Sequence, residues 1–199
     1  AAELFEHAAR QALANGDYRG CAELYILARN ATADPATARR YFHSALKALQ
    51  SGNQPLAALE LGERELGPLA DDPETLYLMI NLARASGRPD VADRHVRRLL
   101  RLSLMQQLQS QQIARAWGEG AFRRVSQQTG EREPGIEFDN KAYTLGYEVF
   151  VENGKLEDAW VVAKSAVRQA PEDLVWCERL ARVSEWTGRP QVALLYWLK

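Results

Sequence analysis

The chain has 199 residues and carries 25 Lys and Arg against 26 Asp and Glu. This balance excludes the strongly basic footprint of a nucleic-acid-binding domain. Apolar residues make up 46%, enough for a packed core, yet no apolar run approaches the roughly 18 residues that a membrane-crossing helix needs.

In chain order, the first helix pair is predicted over about Ala2 to Asn15 and Asp17 to Thr32. Asp34-Pro35 then closes it, with the proline suited to the first position of the next helix. A second pair is expected over about Ala36 to Ser51 and Pro55 to Leu66, punctuated by Asp71-Asp72-Pro73. The third runs from Glu74 to Ser86 and from Pro89 to about Ser103. Regularity then weakens. Gln106 to Gln112 holds five Gln with little apolar periodicity, though these are good helix formers. Thr129 to Gly135 reads as an exposed, mobile loop. Two further pairs follow, Asn140 to Asn153 with Leu156 to Gln169, and Glu172 to Thr187 with Pro190 onward.

One phrase recurs through these pairs: a helix-ending Gly, then a small residue five positions later. The glycines are Gly16, Gly52, Gly87, Gly154 and Gly188, at intervals of 36, 35, 67 and 34 residues. Their partners are Cys21, Ala57, Ala92, Ala159 and Ala193. Gly supplies the left-handed conformation that reverses the chain, and the small residue lets two antiparallel helices approach closely. Four residues further, the same face carries Tyr25, Leu61, Val96, Ala163 and Trp197. A period near 34 is that of a helix-turn-helix repeat array. The phrase lapses once, at Gly120, followed by Val125.

These residues resemble the tetratricopeptide repeat (TPR) family. Leu145-Gly146, Gly154 to Ala159 and Ala170-Pro171 match its consensus in one repeat. The resemblance implies an all-α fold, a right-handed TPR-like α-solenoid of about six helix-turn-helix repeats. Their bounds are about 1–34, 35–72, 73–103, 104–137, 138–170 and 171–199, with the fourth irregular. Apolar, uncapped ends lead to the expectation of a piece of a longer protein. More narrowly, Phe138 to Tyr143, Glu157 to Trp160 and Glu185 to Pro190 are similar to the scaffold region of PelB-type proteins. That resemblance implies a periplasmic array in bacterial Pel exopolysaccharide export. Such an array would hold a polysaccharide deacetylase/hydrolase near the outer-membrane pore and meet the membrane only through regions outside this sequence.

No motif for metal, phosphate or nucleophilic chemistry stands in the chain, so no enzyme activity and no cofactor is expected. His7, His43 and His95 fall singly on different helices and read as surface or packing residues. Cys21 and Cys177 lie in distant repeats and are expected to be free and buried. Arg94, Arg97, Arg98 and Arg101 share one helix face, either as a solvated face or as a basic stripe for an acidic partner. Most aromatics should be interhelical core.

By resemblance to the repeat family, Phe42, Tyr77 and Trp186 face an inner groove. With them come Arg39, Asn81, Arg84, Lys141, Glu148, Glu152, Glu178, Arg182 and Glu185. A groove that mixes aromatics with both charge signs suits a protein partner, and groove aromatics could alternatively take exopolysaccharide. A cytosolic peptide-binding adaptor is the other reading of the same fold. Glu6, Arg10, Phe42 and Leu46 do not supply the Lys, Arg and Asn of a carboxylate clamp; only Asn81 fits.

Overall fold

The computed structural model describes residues 1–117 and 139–198, with side chains placed in 1–108 and 139–198. The described residues form ten α-helices and no strand. In order these are α1 (Ala2–Ala14), α2 (Tyr18–Asn30), α3 (Pro35–Ser51), α4 (Pro55–Glu65), α5 (Pro73–Ala85) and α6 (Pro89–Trp117). After the undescribed residues come α7 (Asn140–Glu152), α8 (Leu156–Gln169), α9 (Leu174–Trp186) and α10 (Pro190–Trp197). A short 3-10 turn, Gly67–Asp71, links α4 to α5. The chain divides into two compact units, Ala1–His95 and Val96–Lys199.

Local chemistry sets where these helices begin. Asp34, Asp72, Asp139 and Asp173 each accept a backbone N–H in the first turn of α3, α5, α7 and α9. Asp17 does the same for α2. A carboxylate there satisfies a donor that the helix cannot, and it suits the positive end of the helix dipole. Pro35, Pro55 and Pro73 occupy first-turn positions where no N–H is needed.

The turns inside the pairs share one hydrogen bond. Asp17, Gln54, Arg88, Lys155 and Arg189 each donate a backbone N–H to the carbonyl five residues back, at Ala12, Leu49, Ala83, Phe150 and Ser184. This closes the left-handed turn of a Schellman motif. Gly16, Gly87, Gly154 and Gly188 hold its positive φ, between 65° and 76°. The second pair departs from the expected register. Gly52 has φ −78°, and Asn53 takes the left-handed position at φ 54°. The small partner moves with it: Ala58 is fully buried, while Ala57 is only half-buried. Cys21, Ala92, Ala159 and Ala193 are buried as expected.

In the first unit, Phe42, Leu46, Leu59, Leu76, Met79 and Ile80 are completely or almost completely buried. In the second, Trp176, Leu180, Val149 and Leu99 do the same. Tyr25, Tyr41, Tyr143, Tyr147 and Phe150 are also buried, whereas Trp197 is 46% exposed. Both cysteines are free and buried. The helix that begins at Pro89 does not stop near Ser103; α6 continues without a turn to Trp117. Arg, Leu and Gln keep its backbone helical where the apolar period lapses. Gly120, Val125, the loop from Thr129 to Gly135 and the expected second partner of the fourth repeat lie outside the described residues.

Candidate partner-binding surface

The first unit presents α3 and α5. Arg39 is half-buried, with Nη1 2.9 Å from Asp72 Oδ1 and 3.7 Å from Glu74 Oε2. It ties α3 to the start of α5. The Thr75 hydroxyl donates to Asp72 Oδ2 at 2.7 Å, so it accepts from His43 Nε2 at 2.8 Å. That assigns the imidazole proton to Nε2. Burial pushes the His43 pKa down, against the attraction of nearby Asp72. Burial alone would raise the Asp72 carboxyl, but hydrogen bonds from Thr75 and Arg39 outweigh it and hold the carboxyl below its usual value.

Tyr77, Asn81 and Arg84 follow on α5 at i, i+4 and i+7, which is one helix face. Asn81 is exposed, while Tyr77 and Arg84 are half-buried. Phe42 does not join them. It has no exposed surface, and the Arg29 guanidinium sits 4.9 Å from its ring centroid while donating to the Glu65 carbonyl at 2.8 Å. The expectation of a groove-facing Phe42 is therefore corrected: an aromatic three residues after Arg39 points into the core. Phe42 anchors packing and is closed to a partner.

In the second unit, Lys141 and Glu152 are exposed on α7 and Glu148 is half-buried. On α9, Glu178 and Arg182 form an ion pair at 2.5 Å. Glu185 accepts from Trp197 Nε1 at 2.9 Å, and Trp186 is 49% exposed. Beneath this face α9 is held firmly on α7. Trp176 Nε1 donates to Asn140 Oδ1 at 2.7 Å, and Arg179 Nη1 donates to Thr144 Oγ1 at 3.0 Å. The Arg179 guanidinium also lies 4.6 Å from the Trp176 centroid.

The second helices carry features that the sequence did not single out. On the first unit, two adjoining depressions of about 490 and 270 Å³ share Glu60 and Arg64. Glu63 on α4 accepts from the buried Nε2 of His95 on α6 at 2.5 Å and pairs with Arg94. Arg97 pairs with Asp158 at 2.7 Å and lies 4.9 Å from the Phe150 centroid. Two members of the expected basic stripe are thus engaged in ion pairs within their own units. A periodic count of arginines reports only their helix face, since the partnering carboxylates come from other helices. Among the described residues, no three His, Cys, Asp or Glu side chains converge as metal ligands would.

No protein-family model and no curated protein matches the sequence. Solved structures do. MamA residues 41 to the end, from Desulfovibrio magneticus RS-1, is 14% identical with a TM-score of 0.55, over 99% of this chain and 91% of that one. A kinesin light chain from Podosopora anserina with nearly identical TPR-like repeats is 16% identical, TM-score 0.53, over 98% and 90%. YrrB, a TPR protein with an unusual peptide-binding site, is 13% identical, TM-score 0.55, over 96% and 80%. The likeness shows the fold: the chain is an all-α protein of the TPR-like α-solenoid class.

Proposed function

We propose that this chain is a non-catalytic scaffold that binds protein partners through the exposed faces of its first helices. The observation that carries the reading is α9. Trp186 is half exposed beside Glu178, Arg182 and Glu185, on a helix locked to α7 by Trp176 and Arg179. A large aromatic with flanking charges on a rigid element is the usual makeup of an interface anchor. The peptide-binding site of YrrB, on the same fold, supports the same use.

The finer reading rests on the resemblance to PelB-type scaffolds. In it the chain works in the periplasm during Pel-type exopolysaccharide export and docks a polysaccharide deacetylase/hydrolase near the outer-membrane pore. The test is a pull-down of that enzyme with the wild-type chain and with Trp186→Ala and Arg182→Glu. Retention on the wild type and loss on both variants is the expected result. Equal retention on all three would move the interface elsewhere, and no retention on the wild type would remove the enzyme as partner. Arg39 is unsuited to this test, because its reversal would also break the contact to Asp72 that joins α3 to α5. Cell fractionation of the native protein tests the periplasmic placement.

A further inference from the structure

The two depressions on the second helices of the first unit have a chemistry of their own. They flank α4, and Glu60 and Arg64 line both because an i, i+4 pair stands on one helix face. The smaller, of about 270 Å³, lies between α2 and α4. Its floor is apolar: Ala22 of α2, Leu49 of α3, and Ala57 and Leu61 of α4. Two alanines leave space there that longer side chains would fill.

Charge around the depressions is unevenly matched. In the larger one each arginine has a carboxylate: Arg88 donates to Asp90, Arg94 pairs with Glu63, and Arg64 Nε lies 3.2 Å from Glu65 Oε1. At the smaller one Arg19 donates Nε to Gln54 Oε1 at 3.0 Å. Glu23 on α2 and Glu60 on α4 are exposed carboxylates on its two walls, and neither makes a hydrogen bond or an ion pair among the described residues. Glu60 influences Arg88 as a distant charge and not as a bonded one.

An apolar floor beneath two unmatched carboxylates fits a long cationic side chain, whose methylenes lie on the floor while its head reaches the rim. A guanidinium suits better than an ammonium, since its planar fork can donate to both walls at once. The chain that bears it has a path onward. Neighbouring helix axes stand about 8–10 Å apart, so a segment covering both depressions spans roughly 20 Å, or about six extended residues.

We propose that the depression between α2 and α4 docks an arginine side chain on an extended segment of a partner protein, which crosses α4 into the larger depression. This surface belongs to the second helices of the first unit and shares no residue with the α7 and α9 faces. The two uses therefore stand or fall independently.

A displayed library of random hexapeptides, panned on the purified chain, tests it. Recovered sequences should converge on one Arg among apolar neighbours, and the synthesised peptides should bind by fluorescence anisotropy. Glu23→Gln and Glu60→Gln alter exposed side chains and should leave the circular dichroism unchanged. Each should weaken binding at least about tenfold, the worth of one hydrogen bond to a charged group. Ala57→Leu fills the floor without changing charge and should abolish binding; the two Glu variants carry the test should it not fold. Glu172→Gln, an exposed carboxylate of the second unit, should bind as the wild type does. Recovery of acidic peptides, no convergent sequence, or binding that survives the folded depression variants would each overturn the proposal.

Discussion

The ring of Tyr18, at the start of α2, lies directly against the Cα of Gly52 at the end of α3. A Cβ added at Gly52 would stand 2.6 Å from the Tyr18 Cγ and Cδ2 atoms. No side chain fits there, so Gly52 is needed for close approach and Asn53 makes the turn. Gly52→Ala should destabilise the chain by about 1–3 kcal/mol through overpacking against an aromatic ring. Asn53→Ala should cost about 1–2 kcal/mol, the penalty of a left-handed non-glycine residue without a polar side chain. Urea midpoints of the two variants check both values. An unaffected Gly52→Ala midpoint would show that Tyr18 can move aside.

Phe42 and Trp186 should separate stability from binding. Phe42→Ala removes a fully buried ring and should cost about 3–5 kcal/mol. Trp186→Ala removes a half-exposed ring at a helix end and should change stability by no more than about 0.5 kcal/mol. Thermal melts of both variants read the stabilities, and partner pull-down reads the binding that Trp186→Ala should lose. Equal stability losses would mean that Trp186 serves packing.

Stability should fall in two stages as the solution is acidified. His43 has a native pKa below its ordinary 6.5, so below that pH the unfolded chain takes a proton that the native chain refuses. Stability must therefore drop as pH falls through the window beneath 6.5. Asp72 and Glu6 have native pKa values below their ordinary 3.8 and 4.5. Their contribution is present above those values and is lost as pH falls through the native ones. For Glu6 the leading cause is the Tyr41 hydroxyl, which donates to Oε2 at 2.7 Å. Urea unfolding between pH 7 and pH 3 measures the profile. His43→Asn should flatten the upper stage and leave the lower one.

Glu63 should matter more than its half-open position suggests. It is the partner of a His95 side chain that is only 4% exposed. Glu63→Ala leaves the imidazole N–H buried without an acceptor, a loss of roughly 1–3 kcal/mol. Glu63→Gln keeps an oxygen in place and should recover much of it. Chemical denaturation of the two variants decides, and equal losses would show that the charge matters rather than the acceptor.

Short-range rules carried much of the fold. Asp34, Asp72, Asp139 and Asp173 cap helices with their own side chains, and Gly16, Gly87, Gly154 and Gly188 turn the chain through their own φ, so each is visible in a few residues of sequence. Resemblance to the repeat family puts Arg182, Glu185 and Trp186 on one face, and all three are exposed. The same resemblance puts Phe42 in the groove, but its ring is buried beneath Arg29, a contact from another helix that a family register does not record. Glu60, Glu63 and Arg64 were missed because a depression is made by neighbouring helices, which no single helix records.

Sequence by itself thus determined the helices, their caps and the repeat period, since these depend on backbone geometry and on contacts within one turn. Tertiary structure decided which of Gly52 and Asn53 would turn left-handed, because both tolerate it locally and only Tyr18 excludes a Cβ at one. It also decided that Phe42 packs inward beneath Arg29 and that Arg94 and Arg97 are paired with Glu63 and Asp158. Those outcomes depend on atoms from other helices, 13 to 61 residues away in sequence, brought within a few ångströms only by the packing of one helix on another.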